Sequence, residues 1–330
     1  MNRVQLKNKN LYLPVLILIL LVLLAVLPAY LSVYHILLLC HIFMYIILTV
    51  SWVIFSGPTG YISLASAAFF GVGVYTAAML GYALSLPLVI LSAGLISVLL
   101  ALLVGAITLR LKGIYFTIFT FGLVQLLAHS LLWWEINILG IRGRFVVVVD
   151  HYTIYYTVFT IFVVLMLTAY LIRRSRYGLA LRSIGEYEEA AAHMGVNVTM
   201  LKIVAFAVSA FFMGTIGAIM ATNWTYVDPF IAFNPTISFM PVLMAIFGGM
   251  GQLYGPIIGA TVFTYLEEIL ITRLPHLYML IFGAAMIAAI LYLPGGLVGL
   301  IEKWREKARS SPCFFKKKQK RGAEKRDVNA

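Results

Sequence analysis

Charge is what this sequence has least of. Of its 330 residues only 11% are Asp, Glu, Lys or Arg, whereas 62% are hydrophobic. A soluble domain carries about 25% charged residues, so an ordinary water-facing surface is excluded and lipid must cover most of the outside. Cysteine is nearly absent. Cys40 sits in an apolar run and reads as a small packing residue, and Cys313 lies in a basic tail, so the pair supports neither a disulfide framework nor a metal cluster. Among the six histidines only His35 and His41 are close, and six residues apart they do not share a helix face. No phosphate loop of the form G-x-x-x-x-G-K-[ST] is present, so the chain lacks the backbone cradle and lysine that nucleotide phosphates need. No convincing set of nucleophile, base or metal ligands stands out at membrane depth. The expectation is a chain that is not an enzyme, with no catalytic residues, no metal and no cofactor of its own.

What the sequence has in abundance is long apolar runs. A spanning helix needs roughly 20 mostly apolar residues, at about 1.5 Å each across a core of about 30 Å. Candidate runs are Leu11 to Tyr30, Ile36 to Phe55, a Gly-rich stretch near 61–84, Leu86 to Leu109, Ile114 to Trp134, Thr153 to Ile172, 203–222, 237–250, 256–272 and 277–293. The fold class expected is an all-α integral membrane bundle of about ten helices. Residues 1–301 form the membrane domain, and 302–330 a basic tail without a fixed fold. The first run also has a basic start like a signal peptide, but it is longer than the usual apolar core, and Leu27-Pro28-Ala29 is a poor cleavage signal.

The net charge of +12 would suit a nucleic-acid binder if it were spread over a surface, but it is confined to short connections and the tail. With ten crossings, 21 of the 24 Lys and Arg fall on one side, and only Arg142, Arg144 and Arg273 on the other. Basic connections mark the cytoplasmic side, so both termini are expected in the cytoplasm.

The longest polar insertion on that side runs from Arg173 to Lys202. Residues 186–194 favour a helix, with Glu186, Glu188 and Glu189 in its first turn and Gly195 as its stop. Composition alone fits a solvated loop as well as a knob that enters a cleft on a partner. The order Glu189-Ala190-Ala191, then Gly195, resembles the EAA loop of ATP-binding-cassette importer permeases. The stretch from Arg182 to Thr199 is similar to the LivM-type branched-chain amino-acid permeases, which read R-x-I-x-E-x-E-E-A-A-x-x-x-G-[IV]-N-V-T. Arg110-Leu111-Lys112-Gly113-Ile114-Tyr115-Phe116, Gly248-Gly249-Met250-Gly251 with Gly255-Pro256, and Pro294-Gly295-Gly296-Leu297 with Gly299-Leu300 resemble further signatures of that family.

The resemblance implies a division of labour. Arg182, Glu186, Glu188, Glu189, Ala190, Ala191 and Gly195 would couple this chain to two ATPase subunits, which bind the ATP and magnesium. A second, LivH-like permease would complete the path, and an extracytoplasmic binding protein would deliver a branched-chain amino acid or similar small solute. Urea, short amides and other amino acids use similar permeases. Two Gly-rich interruptions, around Gly57, Gly60, Ser63, Ser66 and Phe69 and around Gly248, Gly249 and Gly251, fit either a solute path or close packing through small residues. Tyr61, Ala65 and Ser66 stand where the family has Gln, Gly and His, and the external loop has Asn137-Ile138-Leu139-Gly140-Ile141-Arg142-Gly143-Arg144, with two arginines added, where the family commonly has T-G-G-x-x-G-[IL]. Glu135 and Asp150 read as solvated, and Glu267 and Glu268 as interfacial beside Arg273. An ion-coupled transporter would need acids deep in the bundle.

Overall fold

The computed structural model describes residues 21–109 and 113–274, with Ile19, Leu111 and isolated positions from 277 to 299. The start of the first run, Arg110, Lys112, most of the run at 277–293, the Pro294–Leu300 signature and the tail at 302–330 lie outside the described residues. Twelve helices are used below: α1 (Leu21–Tyr30), α2 (Val33–Thr59), α3 (Ser66–Leu80), α4 (Leu86–Thr108), α5 (Ile114–Trp134), α6 (His151–Arg174), α7 (Arg176–Glu186), α8 (Glu188–His193), α9 (Val198–Ala221), α10 (Pro229–Ala232), α11 (Thr236–Gly248) and α12 (Tyr254–Arg273). The chain is an all-α membrane protein. Among the described residues seven helical stretches are long and apolar enough to span a bilayer: α2, α4, α5, α6, α9, α10 with α11, and α12.

Local chemistry sets most of the boundaries. The Asp150 side chain caps α6 by accepting the Tyr152 N–H, and Asn197 caps α9 by accepting that of Met200. Arg173 and Arg174 close α6 where the negative end of the helix dipole favours cations. α2 stops at Gly60, whose φ of +72° is the left-handed conformation that ends helices. The third apolar run departs from expectation. Instead of one continuous helix it is a non-helical segment, 60–65, followed by the 15-residue α3, which at about 1.5 Å per residue is too short to cross the core. Gly60 breaks the helix and the Gly-Pro pair before it weakens its last turn.

α9 is the axis of the bundle, with 78% of its most apolar window buried. It packs against α2, α3 and α4. A Cβ on Gly73 would strike the Gly214 carbonyl, and one on Gly217 the Phe70 carbonyl. The backbones of α3 and α9 are therefore in direct contact, as small residues permit in lipid. Leucines of α4 and α5, such as Leu99, Leu103 and Leu126, remain exposed, which suits surfaces facing acyl chains or a second membrane subunit. Cys40 is fully buried in the core. Its expected packing role fits.

The α6–α7 connection lies at one end of this bundle, where the last turns of α2, the end of α6, α7 and the turn at 250–253 line one cavity. At the opposite end Arg144–Phe145 (β1) pairs antiparallel with Tyr226–Val227 (β2), and Tyr34 at the start of α2 donates to Glu268 near the end of α12 at 2.8 Å. Hence Glu268 is engaged by Tyr34. Its neighbour Glu267 is half-buried and keeps one oxygen without a partner.

Candidate functional site

The polar insertion folds into two helices where one was expected. α7 ends at Glu186, Tyr187 is extended (φ −157°, ψ 103°), and α8 occupies only Glu188–His193. Glu186 therefore belongs to the end of α7, and Glu188 and Glu189 alone form the acidic first turn of the knob. Gly195 follows with φ +85°. The N–H groups of Met194, Gly195 and Val196 turn back onto the carbonyls of Ala190, Ala192 and Ala191, closing the helix end. Ala191 points inward and is fully buried, whereas Ala190, Ala192 and Glu189 are exposed. Around them stand large apolar side chains with nothing covering them: Tyr187 is 64%, Met194 72% and Met200 63% exposed.

The segment 60–65 is non-helical, and apart from the exposed Gly60 and Ile62 it is buried among α2, α5 and α11, where water cannot satisfy its backbone. Neighbouring side chains do so instead. The Trp52 indole donates to the Ser63 carbonyl (2.7 Å), the Thr117 hydroxyl to that of Ile62 (2.8 Å) and the Ser238 hydroxyl to that of Leu64 (2.7 Å). The Leu64 N–H donates to Thr120 Oγ1 (3.0 Å) and the Ala67 N–H to Ser238 Oγ (3.1 Å). Irregular backbone survives at membrane depth only with such partners. Three helices (α2, α5 and α11) thus hold one short strand of chain.

The knob and this break are joined. Lys202, at the start of α9, is 2% exposed. Its Nζ lies 2.8 Å from Glu188 Oε1 and donates to the Tyr61 hydroxyl at 3.1 Å, and that hydroxyl donates to Glu188 Oε2 at 2.7 Å. Beside them Gly185 rests on the Pro58 carbonyl, so closely that a Cβ there would overlap it. Sequence reasoning missed this cluster. It registered Tyr61 as a departure and Lys202 as one more basic residue. The available signal was position: Lys202 is the one charge inside the apolar stretch of α9.

The expected path residues divide among three places. Gly57, Gly60 and Gly251 line a cavity of about 570 Å³ at the basic end, together with Arg173, Arg182 and Glu186. Ser63, Ser66 and Phe69 line a cleft on the opposite face of α2, with Trp52, Ser56, Phe206 and Ser209, too narrow for water. There the Ser56 and Ser66 hydroxyls have no partner. Gly248 lies where α11 meets α12, against the carbonyl of Gly255, and Gly249 follows with φ +97°.

At the far end Glu135 corrects an expectation. It is fully buried, accepts the Gly143 N–H at 2.9 Å and lies 3.6 Å from Arg144. Arg142 pairs with Asp228 at 3.4 Å. The two extra arginines thus tie the external loop to the bundle, because a carboxylate at the end of α5 enters the core where the loop folds over it. Asp150, by contrast, is exposed and serves as the cap of α6.

A family model described as the permease component of the branched-chain amino acid transport system matches residues 34–290. The high-affinity branched-chain amino acid transport system permease protein LivM of Salmonella typhimurium is 27% identical over 295 residues, covering 77% of this chain and 67% of that protein. LivM of Escherichia coli is 26% identical with the same coverage. LivH of Salmonella typhimurium is 26% identical over 42% of this chain and 45% of its own length. No solved structure matches. The chain is a multi-pass protein of the cell membrane and belongs to the permease family of the branched-chain amino acid transport systems.

Proposed function

We propose that this chain is the permease subunit of an ATP-binding-cassette importer that admits branched-chain amino acids, or small polar solutes like them, with both termini and the α7–α8 knob in the cytoplasm. A second, LivH-like permease completes the path, two separate ATPase subunits hold the ATP and magnesium, and an extracytoplasmic binding protein supplies solute at the β1–β2 end. The observation that carries this reading is the knob's surface. Tyr187, Met194 and Met200 are exposed on a projection that also bears Arg182, Glu186 and Glu189. Lipid does not cover a surface so charged, and apolar side chains in water mark a docking site. The small Ala190 and Ala192 between them let a partner approach closely.

Gly195→Pro tests the reading. Proline fixes φ near −65°, whereas this position is at +85°. The variant is expected to insert normally, to lose the copurifying ATPase and to abolish uptake, and Glu189→Arg to do the same. Normal uptake by both would remove the knob from the mechanism. One observation favours an ion-coupled carrier instead, the unpartnered Glu267 oxygen. On the importer reading Glu267→Gln leaves nucleotide-driven uptake unchanged.

A further inference from the structure

We propose that Glu188, Lys202 and Tyr61 form a mechanical joint through which α8 moves the membrane break at 60–65. The inference rests on the importer reading and adds where the motion goes. An ammonium group as buried as that of Lys202 costs several kcal/mol unless a counter-charge accompanies it. The carboxylate that accompanies it comes from α8, the element that presents the docking surface. The same carboxylate holds the hydroxyl of Tyr61, one residue past the helix stop at Gly60. Displacing α8 therefore has two outcomes. Either the triad separates and strands a buried charge, or Tyr61 and the start of α9 travel with it. The second is cheaper.

The rest of the segment is built to transmit such a pull. From 61 to 64 it has no helical hydrogen bonds of its own and is held by Trp52, Thr117, Thr120 and Ser238, so a shift at Tyr61 changes where the Ser63 and Ser66 side chains lie. Those two line the closed cleft on α2 together with Ser56 and Ser209. Gly185 against Pro58 gives α7 a second hold on the same corner of the fold. Tyr61, Lys202 and Glu188 are positioning residues: they line neither the cavity at the basic end nor the closed cleft.

The test uses the complete complex, purified through this chain and reconstituted in vesicles, with leucine as the probe solute. Uptake and ATP hydrolysis are measured on the same preparation. Tyr61→Phe keeps the ring and the Glu188–Lys202 pair and removes the hydroxyl's two charge-assisted hydrogen bonds, one to Glu188 and one from Lys202. ATPase copurification and hydrolysis are expected to stay at the parent level while leucine moved per ATP falls about tenfold. Glu188→Lys and Lys202→Glu are each expected to lose uptake, and the double exchange to recover it, which a purely structural loss would not do. Unchanged stoichiometry in Tyr61→Phe, or failure of the double exchange to exceed either single variant, overturns the joint. Loss of the ATPase from Tyr61→Phe also overturns it, because the residue would then serve docking. If the unmodified complex shows no nucleotide-driven uptake, the importer reading itself has failed, a result separable from all of these.

Discussion

Trp52, Thr120 and Ser238 do for the broken helix what helical hydrogen bonds do elsewhere. Each donates to or accepts from a backbone group that lipid and protein would otherwise leave bare. Thr120→Val keeps the shape and strands the Leu64 N–H, at an expected cost of about 1–3 kcal/mol. It should lower the melting temperature of the purified protein, whereas Thr157→Val, whose hydroxyl only bonds its own helix, should not. A similar logic applies to Glu135. Removing its partner with Arg144→Met leaves a buried charge uncompensated, which costs about 3–5 kcal/mol, and the variant should melt well below the parent. None of this was legible in the sequence. A threonine in an apolar run looks the same whether it serves its own helix or a neighbour's backbone, and Glu135 was read as solvated because it borders a loop.

At the level of helices the sequence was more informative, and its errors have physical causes. The apolar runs that became α2, α4, α5, α6, α9 and α12 were visible because hydropathy over about 20 residues is a local property. The Gly-rich third run was not readable as a non-helical segment plus half a helix, since the backbone past Gly60 is held by side chains of α2, α5 and α11, two of them distant in sequence. The knob's existence followed from its composition. Its division at Tyr187 did not, because nothing in the side chain of Tyr187 marks it as a break and its extended backbone is seen only in the fold. Glycine's two roles also separate here. Gly217→Val in α9 would push against the Phe70 backbone, and overpacking of this kind costs about 1–3 kcal/mol. Gly122→Ala, with open space around it, should be neutral. Comparing the two melting curves checks whether α3 and α9 meet backbone to backbone.

For the whole molecule, the account describes a transducer with its working parts at one end. Tyr187, Met194 and Met200 are exposed there, α7 and α8 lean on Pro58 and Tyr61, and the break these residues border runs into the bundle. The opposite end is tied down by Arg142 with Asp228 and by Arg144 with Glu135. The family was readable from the stretch between Arg182 and Thr199, since its pattern is written in contiguous residues. The path was not, because its candidate residues lie on two faces of α2 and at the α11–α12 crossing. The most direct test reconstitutes this chain and its second permease in vesicles and follows leucine uptake with and without the ATPase subunits. The account predicts accumulation only when the ATPases and ATP are both present, and none with Gly195→Pro. Accumulation against a gradient by the membrane subunits alone would contradict it.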